Sequence, residues 1–197
     1  IIADALSTPY HAVKNRAQVR PGDTVAVFGC GGVGINAVQL AAAAGAYVIA
    51  VDINEQKLEW AKELGAAETV NASEVERASK AIKKMTGGGV DIAMEVIGNP
   101  RTIEEAFESV RIGGRMCIVG YTPEKINIVA GKIMFKEMEI VGSLGCPPGE
   151  YVPLIRMVEA GKIDVSRLVT HRFSLDEIQG AFDVMKDGCS LRSIVIP

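Results

Sequence analysis

Apolar positions along the chain follow two rhythms that take turns. Short runs dominated by apolar residues occupy positions 24–28, 47–51, 90–96, 115–119 and 138–143. Runs of that length with little polar alternation suit strands covered on both faces. Between them, residues 33–41, 54–64, 73–85 and 100–110 carry apolar side chains at three- and four-residue spacing, the period of a helix with one buried face. Positions 68–70 read as a further, weak strand. Glycine and proline mark the joints: Pro21-Gly22-Asp23, Gly45-Ala46, Gly65 and Thr86-Gly87-Gly88-Gly89. Strands alternating with helices of about a dozen residues predict an α/β protein on a doubly wound, parallel, six-stranded sheet.

The flanks are less regular. Thr8-Pro9 reads as the N-cap and first residue of a short helix to about position 17. Past 143 the pattern predicts a helix over 150–160 and a partly extended stretch over 165–173. A helix over 178–186 follows, announced by the capping-box sequence Ser174-Leu175-Asp176-Glu177. Residues 191–196 read as a closing strand, so the sheet carries a C-terminal helix/strand appendage. There is no internal repeat and no low-complexity segment.

The joint that carries chemistry follows the first strand: Gly29-Cys30-Gly31-Gly32-Val33-Gly34. Gly29 permits a sharp exit from the strand, Gly31 lets a diphosphate approach bare backbone, and Gly34 lets the next helix pack closely on the strand. With Gly32 and Val33 they form a candidate cradle, because the amides of a helix start and the positive end of its dipole favour phosphate. The second strand ends in Asp52, 23 positions after Gly29. That is close to the spacing of an acid that accepts both hydroxyls of an adenosine ribose. A carboxylate there repels a 2′-phosphate by about 1–4 kcal/mol, so NAD(H) is favoured over NADP(H), with Ile53 beside it. A plainer role for Asp52 is to cap the helix beginning at Ile53-Asn54-Glu55.

Composition narrows the partners. With 21 basic and 24 acidic residues, a net charge of −3 and no basic block, the chain is a poor match for nucleic acid or anionic membranes. No apolar run approaches the roughly 20 residues of a membrane span, and no signal peptide is visible. Cys30, Cys117, Cys146 and Cys189 form no C-x-x-C pair, and His11 and His171 lie far apart. That excludes a local zinc knuckle and speaks against a disulfide framework, so a cytoplasmic setting is expected. The opening at Ile1 rather than a methionine has the look of a piece cut from something longer.

Further segments carry a resemblance in order and spacing: Ser7-Thr8-Pro9-Tyr10-His11-Ala12-Val13, Arg20-Pro21-Gly22-Asp23, Leu64-Gly65-Ala66, Arg111-Ile112-Gly113-Gly114-Arg115, Val119-Gly120 and His171-Arg172-Phe173-Ser174-Leu175. With the glycine turn and Asp52, the chain resembles the C-terminal, NAD-binding portion of the medium-chain, zinc-dependent alcohol dehydrogenase family over nearly its whole length. The resemblance implies that Lys57 touches the adenosine ribose and that Val96, Val119, Gly120 and Leu144 lie near the nicotinamide half. It also implies that Thr8 packs on the nicotinamide ring and that Arg192 reaches the diphosphate. Asp4 stands where the family places the last protein ligand of its catalytic zinc, usually Cys and in some members Asp. A carboxylate is an acceptable third ligand.

The family's remaining zinc ligands and its proton relay belong to an N-terminal domain that these residues do not contain, so Asp4 is expected to be metal-free here. Residues 1–6 are then a link to that domain, 7–143 a Rossmann NAD-binding domain, and 144–197 a segment that packs partly with the absent part. Strands 169–173 and 191–196 are expected to lack sheet partners, or to borrow them from a second copy. The expected function is the NAD(H)-binding portion of an enzyme moving hydride between an alcohol and a ketone or aldehyde, inactive by itself. Two readings compete: a zinc-free quinone or enoyl reductase, opposed by Asp4 and Asp52, and a non-catalytic nucleotide-binding redox sensor. The edge strand at 136–143 is expected to pair about a twofold axis into a homo-oligomer.

Overall fold

The computed structural model describes all 197 residues, Ile1–Pro197. At its centre lies β1 (Thr24–Phe28), with Val25, Ala26, Val27 and Phe28 all buried. Its side chains divide by the two-residue period of a strand. Val25 and Val27 enter a core on one face with Ile35, Val38 and Val48, while Ala26 and Phe28 enter a second core on the other face with Ile49, Ile103 and Phe107. β2 (Tyr47–Asp52) and β4 (Val90–Glu95) flank β1, and β3 (Glu68–Asn71), β5 (Val110–Ile118) and β6 (Glu139–Gly142) extend the sheet. The order is β3-β2-β1-β4-β5-β6 and every pairing is parallel. The doubly wound, six-stranded expectation is met. The chain order reverses at β1, so a crevice opens beyond its carboxyl end.

The helices α2 (Gly34–Ala43), α3 (Glu55–Glu63), α4 (Ala78–Thr86) and α5 (Pro100–Ser109) cross between strands. α2 is buried from Gly34 to Ala41, including Asn36 and Gln39. A helix covered on all sides must satisfy its polar side chains internally. Asn36 Nδ2 donates to the carbonyls of Ala5 (3.1 Å) and Gly32 (2.9 Å), and Gln39 bonds both backbone groups of Asp164.

The structure departs from the pattern reading in four places. The first helix starts well before Thr8-Pro9: a π-helical turn over Ile2–Leu6 leads into α1 (Ser7–His11) and a second π turn over Ala12–Arg16. Thr8 is therefore inside a helix and does not cap it. Pro9 has no N–H for the Ala5 carbonyl, and Asn36 supplies the missing donor. α4 begins at Ala78, not 73, because Asn71 Oδ1 gathers the amide and hydroxyl of Ser73 into a turn and Glu105 Oε2 accepts the Ser79 amide at 2.8 Å. β5 starts at Val110 and carries an irregularity between its pairings at Val90 and Ile92. The helix α6 (Ala130–Lys136), which the pattern did not announce, buries none of its residues.

Beyond β6 lie α7 (Tyr151–Glu159), β7 (Val169–Ser174), α8 (Ile178–Lys186) and β8 (Arg192–Ile196). β7 and β8 do not lack partners: they pair with each other, in parallel, as a separate two-stranded sheet. Leu154, Ile163, Leu168 and Leu191 from this segment join the larger core. The Ser174/Glu177 capping box forms as the sequence predicts.

Candidate functional site

The turn after β1 gives each glycine a separate task. Gly29 takes φ +97°, in the region that favours glycine. A Cβ at Gly34 would run into the Gly29 carbonyl oxygen, so α2 can cross the strand at this distance only without a side chain. Gly31 has nothing within 4 Å of where its Cβ would be, which leaves open space above bare backbone. Gly32 makes room for the far end of the chain: a Cβ there would come within 2.5 Å of Arg192 Nε and 2.6 Å of the Leu191 carbonyl oxygen. The amides of Gly32, Val33 and Gly34 have no acceptor in the chain, and no side chain caps α2. Unaccepted amides at the start of a helix favour an anion.

Asp52 ties this turn to the end of β2. Its Oδ2 accepts the Cys30 amide at 2.7 Å, and its Oδ1 accepts the amides of Ile53 (2.8 Å) and Asn54 (3.0 Å). The cap of α3 is Asn54, whose Oδ1 accepts the Lys57 amide at 3.2 Å. The plainer role weighed for Asp52 thus belongs to its neighbour. Burial, with the Asp52 charge adding to it, pushes the Cys30 thiol far above its ordinary range. Burial likewise pushes Cys117 up to about 12. Both are space-filling residues, as their positions in the sequence suggest.

Two cavities lie along the carboxyl ends of the strands. One, of about 280 Å³, is walled by Phe28, Val51, Ile53 and Ile97, with Asp52 at its side and Arg77 and Arg101 at its rim. Its apolar walls suit a flat aromatic base. The other, of about 500 Å³, runs between Gly31–Gly34 and the C-terminal segment, where Arg192, Ser193 and the α8 residues Phe182 and Met185 face it. Lys57 and Val96 also line it. The partition between the cavities is the consecutive pair Val96 and Ile97. It is held by Glu95, a fully buried carboxylate whose Oε1 accepts the amides of Ile97 (3.1 Å) and Gly98 (2.9 Å) and the Thr102 hydroxyl (2.7 Å). Gly120 packs beneath that turn, where a Cβ would meet Glu95 Oε2 at 2.7 Å. Sequence reasoning missed Glu95 and Ile97, although an acid inside the apolar run 90–96 is a visible signal of a buried acceptor.

Not every expected residue converges on the cleft. Leu144 is 94% exposed and lines neither cavity. Val119 is half-buried against the core, its amide on the Glu95 carbonyl oxygen at 2.8 Å. Thr8 donates its hydroxyl to Asp4 Oδ1 at 3.2 Å, and Asp4 Oδ2 lies 3.6 Å from Arg192 Nη2. No group of three His, Cys, Asp or Glu side chains is placed to hold a metal ion.

Comparison with known proteins agrees with this geometry. A family described as "Zinc-binding dehydrogenase" matches residues 32–160. The chain is 35% identical to the geraniol dehydrogenase of Carpoglyphus lactis, over all of this chain and 53% of that protein. Among solved structures it resembles the benzyl alcohol dehydrogenase of Acinetobacter calcoaceticus (TM-score 0.92, 30% identity, 98% of this chain and 55% of that one). It also resembles the 2R,3R-butanediol dehydrogenase of Bacillus subtilis (TM-score 0.91, 30% identity, 100% and 56%). The chain spans about half the length of the relatives it matches.

Proposed function

Because the chain belongs to the zinc-binding dehydrogenase family, we propose that it forms the NAD(H)-binding part of a zinc-dependent alcohol dehydrogenase. The whole enzyme would move hydride between a small alcohol and its ketone or aldehyde. The observation that carries this reading is the open backbone over Gly31, beside three unaccepted amides and a buried Arg192 Nε without a partner. A diphosphate supplies the acceptors all of these groups need. In this reading the adenine enters the apolar cavity beside Ile53, and Asp52 and Lys57 take the ribose hydroxyls. Gly29 to Gly34 and Arg192 hold the diphosphate, and the nicotinamide end runs toward Val96, Val119, Gly120, Leu144 and Thr8. Bound NAD supplies the hydride acceptor; the chain's own residues bind it, orient it and shield it from water.

A zinc ion is not accommodated by these residues alone. Asp4 is proposed as one carboxylate ligand, but it belongs to no group of three His, Cys, Asp or Glu side chains placed to hold a metal ion. No helix is long and apolar enough to cross a membrane, and all four cysteines are free thiols, which fits a reducing, cytoplasmic setting. Self-association is part of the proposal. β6 is an edge of the sheet, and α6 beside it exposes Met134 and Phe135, a surface suited to a second copy. Sedimentation showing monomer alone at high concentration would count against that.

Titration of NADH followed by energy transfer from Trp60, the single tryptophan, tests the cofactor assignment. Saturable binding is expected, with NADPH at least about tenfold weaker because of the Asp52 charge. Equal binding of the two would remove the role given to Asp52 and favour a zinc-free reductase.

A further inference from the structure

We infer that Glu150 is a positioning residue for the nicotinamide end of the cofactor: with His11 and Asn15 it clasps the segment 143–150 to the first helix. The inference rests on the dinucleotide reading above. The segment leaves the carboxyl end of β6, on the edge of the parallel sheet where the glycine turn leaves β1 and the Val96–Gly98 turn leaves β4. From there it runs to the start of α7. Its own backbone does little to place it. The amides of Leu144, Gly145 and Cys146 have no acceptor in the chain, and Gly145 turns at φ +56° with open space around its Cα.

Both ends of the segment are tied to one stretch of helix instead. Before it, Arg16 Nε donates to the Gly142 carbonyl oxygen at 2.7 Å. At its far end, Glu150 Oε1 accepts His11 Nδ1 at 3.0 Å and Asn15 Nδ2 at 2.7 Å, and Oε2 lies 3.2 Å from the same His11 nitrogen. His11 and Asn15 are four residues apart, so their donors share one helix face. A carboxylate only accepts, so the contact fixes the His11 proton on Nδ1. Cys146 Sγ reaches back to Glu150 Oε2 at 3.7 Å and holds the bend from within. Burial, and then the Glu150 charge, pushes that thiol up, which keeps it a donor. The His11 and Glu150 side chains are only 16% and 17% exposed, so water screens the clasp less than a surface pair. Thr8 lies one turn before His11 on α1. In the proposed function Thr8 and Leu144 both stand toward the nicotinamide, and Glu150 fixes the one relative to the other. None of the clasp residues lines the adenine cavity or the cavity over the glycine turn.

Calorimetric titration of the full chain with NADH and, separately, with ADP-ribose, which lacks only the nicotinamide, tests this. Glu150→Ala is expected to weaken NADH about three- to tenfold, as lost charge-assisted hydrogen bonds allow, and to leave ADP-ribose unchanged. Glu150→Gln, which keeps the volume, must shift the ratio of the two affinities in the same direction. His11→Ala should do the same, while His11→Asn, which restores a donor near Nδ1, should recover most of the loss. Combining Glu150→Ala with His11→Ala should add little, since the two act as one coupled pair. The inference is overturned if NADH and ADP-ribose weaken together, which would mark a merely structural role, or if the Glu150 variants leave NADH unchanged. Losses that add fully in the double variant overturn it as well. A wild type that binds neither NADH nor ADP-ribose overturns the dinucleotide reading instead.

Discussion

The two walls of the larger cavity are made differently. On the sheet side, β1 buries four consecutive residues, α2 is covered all round, and Glu95 has no exposure. On the C-terminal side, α8 buries only Ala181, β8 buries none of its five residues, and Phe182 and Met185 stand 47% and 59% exposed. The sheet wall is part of a close-packed interior. The other is pinned at a few points, chiefly Leu191 in the core and Gln39 on the Asp164 backbone. Walls held by few buried contacts are the ones that open at low free-energy cost. On the proposed function, the C-terminal wall is the one that would yield to an entering cofactor while the glycine turn stays in place.

The largest test of this contrast is a pair of truncations. Phe28→Ala should cost about 3–5 kcal/mol in urea unfolding, whereas Phe182→Ala, on the exposed wall, should cost less than about 1 kcal/mol. Equal losses would mean that the C-terminal wall is packed as closely as the sheet wall. Next comes the turn itself. Gly34→Ala forces a methyl group into the Gly29 carbonyl and should lower stability by about 1–3 kcal/mol while removing NADH binding. Gly31→Ala points into open space, so its melting temperature should hold while NADH affinity falls about tenfold, the methyl group standing where phosphate must come. A Gly31→Ala variant that binds normally would place the ligand elsewhere.

The smallest effect is in acid. Burial alone would push the Glu105 carboxyl up, but hydrogen bonds from Ser79 and the Arg77 guanidinium outweigh it and hold it below the usual carboxylate range. A carboxyl depressed in the folded state stabilises above its unfolded pKa and loses that contribution as pH falls through the folded value. Thermal unfolding from pH 6 to pH 3 should show this loss at the acidic end. Glu105→Gln should flatten that limb without changing the C-terminal wall.

Much of the sheet wall was legible because its constraints are local. The glycine turn, the strand after it and Asp52 lie within 24 residues, and each residue type has one physical reason to be there. What escaped was set by distant partners. Thr8-Pro9 has the form of a helix start, yet Asn36, from another helix, satisfies the carbonyl that Pro9 abandons, and the helix continues through. Gly32 reads as one more glycine until Arg192 is seen lying on it, 160 positions later. α6 buries nothing, so no apolar face could announce it. β7 and β8 looked like strands without partners because nothing in either sequence says that they pair with each other.

Asp52 carries a consequence for anyone wishing to change the coenzyme. The carboxylate that would exclude a 2′-phosphate is also the acceptor for the Cys30 amide, inside a residue with no solvent exposure. Replacing it with an apolar residue strands a buried donor, at about 1–3 kcal/mol, and loosens the glycine turn along with the proposed ribose contact. On the proposed function, coenzyme preference and loop integrity are therefore inherited together. A redesign toward the phosphorylated coenzyme would have to keep an uncharged acceptor at 52, such as Asn, and add its new cation one position on, at the exposed Ile53.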